Sequence, residues 1–254
     1  MSNGSFRTKI FADGADRETI LKRNADPMIS GFTTNPTLMR KSGITNYKAF
    51  ALDILKAVTL KPISFEVFSD EFDEMEIQAL EIASWAPNVY VKVPITNTRR
   101  ESAVPLIEKL SKQGVKVNVT AIMTIDQVKS VVPALTHGPA GCVSVFAGRI
   151  ADAGVDPLPV MKHAMELLND FPTLELIWAS PRELFNIVQA DSIGCHIITV
   201  TDDILKKIPT IGKDLTEFSL ETVKMFYNDA ASAGFNIPLP GIAISSQQTV
   251  TSTK

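Results

Sequence analysis

Eight short apolar runs recur along the chain, and each is separated from the next by a stretch long enough for a helix. The runs are rich in Val, Ile and Leu, a composition typical of strands that are buried on both faces of a parallel sheet. They cover residues 8–12, 29–33, 63–68, 89–93, 115–119, 142–146, 174–178 and 196–200. Because strands that alternate with helices build βαβ units, this pattern predicts an α/β fold with a parallel sheet.

The segments between the runs carry apolar residues at helical spacing, and several begin with Asp, Thr or Ser, where an N-cap belongs. The predicted helices cover residues 47–58, 73–84, 101–113, 125–135, 157–168, 181–189 and 203–208. Eight strands favour a closed (β/α)8 TIM barrel, although spacing alone leaves an open doubly wound sheet as an alternative. We therefore predict a barrel.

One more helix, predicted at residues 220–233, follows the eighth strand and has no strand after it. It fits either a cover over one end of the barrel or a contact with a partner subunit, so we expect a homo-oligomer. Residues 1–238 are predicted to form a single catalytic domain. Residues 239–254 are rich in Ser, Thr and Gln without periodicity, and we expect a flexible tail there.

Charge and cysteine content exclude several classes of function. The 25 basic and 28 acidic residues give a net charge of -3, so no global field would attract nucleic acid or an anionic membrane. The apolar runs are too short to span a bilayer. Cys142 and Cys195 lie far apart in apolar runs, which indicates neither a disulfide framework nor a zinc site. We expect a cytoplasmic protein.

Polar residues interrupt or follow seven of the eight apolar runs. In a TIM barrel the active site lies at the C-terminal ends of the strands, so polar residues at these positions are expected to share one site. They are Asp13, Thr34, Asn35, Glu66, Lys92, Asn118, Thr120, Ser144, Arg149, Ser180 and Arg182.

Lys92 is flanked by valines within its predicted strand. A buried lysine is driven toward the neutral amine, which can attack a carbonyl carbon. The alternative is a lysine that extends out through the helix layer, but the presence of Glu66 and Asp13 favours the buried site. Glu66 also fits a structural partner of Lys92, and Asp13 alone fits a turn or an N-cap. Lys116 lies at the start of its strand, toward the barrel bottom, and is assigned no role.

Arg149 and Arg182 follow neighbouring strands, and Ser180 lies beside Arg182. Guanidinium groups bind phosphate through paired hydrogen bonds, so these residues predict an anion clamp, with ordinary surface arginines as the alternative. The three histidines have neither metal-ligand nor hydrolase-triad spacing, and no Gly-rich phosphate loop is present. We therefore predict no metal and no nucleotide cofactor.

These residues occur in strings that resemble the transaldolase family, in matching order and spacing over about residues 8 to 235. The chain resembles the short branch of that family. The Thr-Thr-Asn-Pro and Ser-x-Phe-x-Gly-Arg strings are the specific ones. The strings are Phe11-Ala12-Asp13, Thr33-Thr34-Asn35-Pro36, Glu66, Val91-Lys92-Val93-Pro94, Asn118-Val119-Thr120, Ser144-Val145-Phe146-Ala147-Gly148-Arg149 and Ala179-Ser180-Pro181-Arg182.

The resemblance implies that Lys92 forms a Schiff base with a ketose phosphate, without any cofactor. It implies that Asp13 is the acid/base of carbon-carbon cleavage, and that Glu66 and Thr120 hold a catalytic water. It further implies a set of substrate contacts. In this set Asn35, Asn118 and Ser144, beside Thr34, hold sugar hydroxyls, and Arg149, Ser180 and Arg182 bind a phosphate.

A related branch cleaves fructose 6-phosphate and releases free dihydroxyacetone. In that branch Gln and Tyr tend to replace the residues that match Glu66 and Phe146, so this chain resembles the transferring branch. The residues also fit an aldolase for a ketose with a different anionic group, and a non-catalytic sugar-phosphate-binding barrel. The chain departs from the family at Arg99 and Arg100, which fit either a first helical turn or an anion contact, and at Pro181, which affects the aim of Arg182.

Overall fold

The computed structural model describes residues 6–237. Residues 6–209 belong to one compact unit, and residues 210–237 belong to a second. The predicted tail, residues 239–254, lies outside the described residues, and the prediction of a single domain over residues 1–238 stays a prediction.

Eight parallel strands close on themselves in sequence order, so that β1 pairs with both β2 and β8. The predicted TIM barrel is thus confirmed, and the open sheet is excluded. The strands are β1 (Lys9–Asp13), β2 (Ile29–Thr33), β3 (Ile63–Glu66), β4 (Val89–Pro94), β5 (Val117–Ile122), β6 (Gly141–Val145), β7 (Leu174–Trp178) and β8 (Ile197–Thr201).

Helices connect the strands and cover the outer face of the barrel. They are α1 (Arg17–Asn24), α2 (Pro36–Lys41), α3 (Tyr47–Leu55), α4 (Phe72–Ala83), α5 (Val104–Lys112), α6 (Ile125–Leu135), α7 (Ala147–Asp152), α8 (Leu158–Leu168), α9 (Phe185–Ser192) and α10 (Asp202–Leu205), followed by a 3-10 turn (Ile208–Thr210). The second unit contains α11 (Leu215–Ser232), none of whose residues is buried. No helix of residues 6–237 is both long and apolar enough to cross a membrane.

Two apolar clusters form the core. The larger one lies between strands and helices and includes Phe32, Phe65 and Trp178. The smaller one includes Phe11, Cys142 and Ile177, which alternate along their strands with the outward-facing residues and therefore lie inside the barrel. A Cβ atom at Gly31 would lie 2.5 Å from the Phe11 ring, so the glycine makes room for this interior side chain.

Most predicted elements are present with shifted ends, and two predicted helices begin later than expected. The helix predicted at 101–113 begins at Val104, because Arg100 has a φ of 66° and Thr96 pairs with Ser102 in an antiparallel bridge. The helix predicted at 181–189 begins at Phe185, because the side chain of Asn186 binds the amide of Arg182 and holds a turn.

The short helices α2 and α7 were not predicted, since neither is long enough to show a helical period. The fifth strand also runs further than its prediction, to Ile122, which places Thr120 within it. Lys116 precedes this strand, at the end of the barrel opposite the strands' C-termini.

Candidate active site

A cavity of about 540 Å³ opens at the C-terminal ends of the strands. Every strand, or the loop that follows it, contributes to its wall, including β8, for which no site residue was predicted. Ten predicted site residues line the cavity: Asp13, Asn35, Glu66, Lys92, Thr120, Ser144, Phe146, Arg149, Ser180 and Arg182. Thr34 and Asn118 are fully buried and are not among the lining residues.

Lys92 is buried at the base of this cavity, with 6% of its surface exposed. It pairs in register with Glu66 on the neighbouring strand, and its Nζ lies 3.1 Å from Glu66 Oε2. Nζ also donates a hydrogen bond to the Thr34 carbonyl, at 3.0 Å. Lys92 therefore points into the barrel, and the alternative of a lysine that extends through the helix layer is wrong.

Asp13 ends β1 and is bound by Thr33, which in turn contacts Thr199. The Thr33 hydroxyl donates to Asp13 Oδ1 at 2.7 Å and is itself within hydrogen-bond distance of the Thr199 hydroxyl. When Asp13 is ionised, the one hydroxyl proton of Thr33 points to Asp13, so Thr199 donates to Thr33. The N-cap of α1 is Asp16 and not Asp13, because Asp16 accepts the amide of Thr19.

Burial raises the pKa of Asp13 above its ordinary value. The positive charge of Lys92 and the hydrogen bond from Thr33 act in the opposite direction, and the negative charge of Glu66 adds to the effect of burial. A carboxyl group with a raised pKa exchanges its proton closer to neutral pH, which suits general acid/base chemistry.

A backbone irregularity places Thr120 against the cavity. The pairing of β5 with β6 shifts register after Val119, and Ala121 has a φ of 62°, which is rare for a residue with a side chain. The hydroxyl of Thr120 is buried and has no hydrogen-bond partner among the described residues. It is thus available to a molecule in the cavity.

A chain of hydrogen bonds crosses the barrel just below the cavity. The Ser144 hydroxyl donates to Asn118 Oδ1 at 2.7 Å, and Asn118 Nδ2 donates to Ser64 Oγ at 3.0 Å. Asn118 thus orients Ser144, which lines the cavity. Asn35 has a second task, since its Oδ1 accepts the Leu38 amide and caps α2.

The predicted anion clamp lies where the loops after β6 and β7 meet. A Cβ atom at Gly148 would lie 1.5 Å from the carbonyl oxygen of Ser180, so only glycine permits this approach. Ser180 itself has a φ of 59°. Arg182 forms a two-point ion pair with Asp152, whereas exposed Arg149 has no ion-pair partner within residues 6–237.

Several residues of the cavity were missed by the sequence analysis. Thr33, Thr199 and Thr201 share the inward face with Asp13, and strict alternation along 29–33 and 197–201 would have identified them. Lys41 also lines the cavity, from the end of α2. Its position depends on a helix too short to leave a periodic signal.

Arg99 lies outside the first turn of α5, and its guanidinium is already paired with carboxylates, so it is not free to bind an anionic ligand. It forms ion pairs with Asp70, Glu71 and Glu101, and Thr98 also binds Asp70. These contacts tie the loop after β4 to the loop after β3. Neither alternative therefore holds for Arg99, and the first helical turn is wrong for Arg100 as well, since α5 begins at Val104.

Comparison with known proteins agrees with this architecture. The profile of the family described as Transaldolase/Fructose-6-phosphate aldolase matches residues 10–238. A probable transaldolase of Dehalococcoides mccartyi is 36% identical over 203 residues, which is 79% of this chain and 89% of that protein. Another, from a Thermoanaerobacter species, is 34% identical over 235 residues, which is 90% of this chain and all of that protein. This chain belongs to the transaldolase/fructose-6-phosphate aldolase family.

Proposed function

We propose that this chain is a transaldolase, which moves a dihydroxyacetone unit from a ketose phosphate to an aldose phosphate through a Schiff base on Lys92. The donor would be fructose 6-phosphate or sedoheptulose 7-phosphate. The observation that carries the proposal is the position of Lys92 Nζ, buried between the Glu66 carboxylate and the Thr34 carbonyl at the base of the cavity.

In the first half of the proposed reaction, Glu66 takes a proton from Lys92 Nζ, and the resulting amine attacks C2 of the ketose and forms a carbinolamine. Loss of the C2 hydroxyl as water gives a protonated imine. Glu66 and Thr120, through a water between them, would supply the proton to the departing hydroxyl. Both line the cavity beside Lys92.

Cleavage then breaks the C3–C4 bond. Asp13 takes the proton of the C4 hydroxyl, C4 becomes the aldehyde of the released aldose phosphate, and the bonding electrons move into the protonated imine to give an enamine. The enamine attacks the aldehyde of a second aldose phosphate, and Asp13 returns the proton to the new hydroxyl. The raised pKa of Asp13 suits both directions.

Substrate contacts in this proposal follow the walls of the cavity. Asn35 and Ser144 hold hydroxyls of the three-carbon unit, and Asn118 acts through Ser144. Thr34 acts through its carbonyl on Lys92 and not on the sugar. Arg149, Ser180 and Arg182 bind the distal phosphate. To do so, Arg182 gives up its ion pair with Asp152.

The competing activity is simple aldol cleavage with release of free dihydroxyacetone. Phe146 lines the cavity beside Ser144 and offers no hydroxyl, whereas the aldolase branch that the chain resembles less tends to have Tyr there. We therefore favour transfer.

We also propose that the chain forms a homo-oligomer through α11, on which Val223, Met225, Phe226 and Tyr227 are each at least 50% exposed. An unchanged mass in light scattering after deletion of α11 would contradict that assembly.

Transfer is tested by incubating the protein with fructose 6-phosphate and a four-carbon aldose phosphate. A seven-carbon ketose phosphate is expected, with little free dihydroxyacetone. Lys92→Met should abolish the product, whereas the matched strand-start variant Lys116→Met should retain it. Free dihydroxyacetone as the main product would favour the aldolase, and no turnover with retained sugar-phosphate binding would favour the non-catalytic barrel.

A further inference from the structure

The seam between β2 and β3 opens at the level of the cavity. The two strands pair in register only at Phe32 with Ile63 and at Thr33 with Ser64, and the last backbone bond of the seam runs from Thr34 N–H to the Ser64 carbonyl, at 3.1 Å. In a regular parallel ladder the next bond would run from Glu66 N–H to the Thr34 carbonyl. That carbonyl instead accepts Lys92 Nζ.

The hydroxyl of Tyr47 makes the hydrogen bonds to the Glu66 backbone that β2 does not make. It accepts a hydrogen bond from Glu66 N–H at 2.7 Å and donates one to the Glu66 carbonyl at 2.8 Å. Both backbone polar groups of Glu66 are thereby satisfied by one side chain. Burial raises the pKa of Tyr47, which keeps the hydroxyl protonated and able to make both bonds.

Tyr47 is itself held rigidly. It is the first residue of α3, next to Asn46, which caps the helix by accepting the Ala49 amide. Its ring packs edge-on against Phe68, at a centroid distance of 5.3 Å, and at a tilt against Trp85, at 6.0 Å. The hydroxyl is therefore anchored from both the helix and the aromatic cluster.

We propose that Tyr47 is a positioning residue for Schiff-base formation, because its hydroxyl replaces one rung of the β2–β3 ladder. The Tyr47 hydroxyl accepts the Glu66 amide, so the Thr34 carbonyl stays free to accept Lys92 Nζ. The hydroxyl also fixes the end of β3, from which the Glu66 carboxylate reaches the same Nζ. Both partners of Lys92 thus depend on one phenol. This inference rests on the proposed function and adds a residue outside the cavity wall to it.

Without the hydroxyl, the Thr34 carbonyl is the acceptor that a regular parallel ladder offers to the Glu66 amide. Closing that bond would draw the carbonyl away from Lys92 and shift Glu66 toward β2. A displacement of this kind slows steps that need exact alignment of amine, carboxylate and water, while the fold is retained. Formation of the imine is the step that should respond.

The test is a double-mutant cycle with Tyr47→Phe and Glu66→Gln, in which the rate of imine formation is measured by rapid mixing with fructose 6-phosphate and borohydride quenching. Tyr47→Phe should slow imine formation about tenfold in the wild-type background and by a smaller factor beside Glu66→Gln, because only its effect through the Thr34 carbonyl then remains. Tyr90→Phe, which removes a phenol hydroxyl beneath Lys116 at the other end of the barrel, should stay within about twofold of wild type.

An equal loss from Tyr47→Phe in both backgrounds, or no loss in either, would overturn the proposal. Amide hydrogen exchange of the wild type gives a second readout if Tyr47→Phe does not fold. The Glu66 amide should then be protected as strongly as that of Val67, which bonds to the Lys92 carbonyl, and rapid exchange would overturn the proposal. Failure of the proposed function looks different, since the wild type itself would then form no adduct.

Discussion

At the scale of single residues, Asp13 shows how neighbours adapt an ordinary carboxylate to a task. Burial favours its neutral form, while Thr33 and Lys92 favour the charged form. Burial is the largest of these effects, so the folded-state pKa of Asp13 is raised above its unfolded value. Its contribution to stability is then fully present below the unfolded pKa and is lost as the pH rises through the folded pKa.

Asp13→Asn should therefore have opposite effects on activity and stability. Cleavage of the C3–C4 bond should slow by about 10²–10⁴, because the general base is lost, while the urea midpoint at pH 7 should rise, because a buried charge is removed. Imine trapping should persist, since that step precedes the one that needs Asp13. Unchanged cleavage in a single turnover would remove Asp13 from the mechanism, and a lower midpoint would contradict its electrostatic description.

At the scale of elements, the close contact between the β6 and β7 loops determines where the anion clamp lies. Gly148 lies in the first turn of the short helix α7, against the Ser180 carbonyl, and Arg149 follows it directly. The backbone of one loop thus fixes the position of the other. Arg182 is held on the same side by Asp152, which lies at the end of α7.

Gly148→Ala should push these loops apart. We expect a loss of about 1–3 kcal/mol in the free energy of unfolding, since the added methyl meets backbone and not a flexible side chain. The kcat/KM for fructose 6-phosphate should fall more than that for unphosphorylated fructose, because the phosphate contacts are displaced and the chemistry around Lys92 is not. An equal fall for both sugars would show that these loops do not form the phosphate site.

The same elements show what sequence patterns can and cannot predict. Strands such as 29–33 and 174–178 are visible because burial on both faces enforces β-branched and apolar residues. The bulge at Ala121 and the turn at Ser180 are invisible, because neither position carries the glycine that usually marks a positive φ. The contacts of Arg99 are not predictable either, since its three acidic partners come from two different loops.

At the scale of the whole molecule, the two ends of the barrel differ in chemistry. The C-terminal end holds the cavity, whereas the N-terminal end carries the Lys9–Glu175 ion pair and Lys116, which donates to the Pro87 carbonyl and lies over the Tyr90 ring. This polarity is predictable from the sequence, because Lys92 lies toward the end of its predicted strand and Lys116 lies at the start of its own. The partners of each lysine were not predictable, since they come from other strands.

His196 at the N-terminal end should make the stability of the whole barrel depend on pH. Its Nδ1 accepts the Leu176 amide at 3.0 Å, and burial lowers its pKa, an effect that Glu175 opposes and Lys9 reinforces. Because the folded pKa lies below the unfolded value, this contribution is present above the unfolded pKa and is lost as the pH falls through the folded pKa.

We expect His196→Asn, which keeps an acceptor but does not titrate, to weaken the fall in urea midpoint between about pH 7 and pH 5, a window set by the ordinary histidine value of about 6.5. His163→Asn, on the exposed face of α8, should leave that fall unchanged. If both variants follow the wild-type curve, protonation of His196 does not limit the stability of the barrel.

The role of Lys92 as the Schiff-base lysine is tested by borohydride reduction of the protein in the presence of fructose 6-phosphate, followed by peptide mass mapping. We expect a three-carbon adduct on Lys92, its absence in Lys92→Ala and its retention in Lys116→Ala. An adduct on Lys116, or none on the wild type, would contradict the assignment of Lys92 as the Schiff-base lysine.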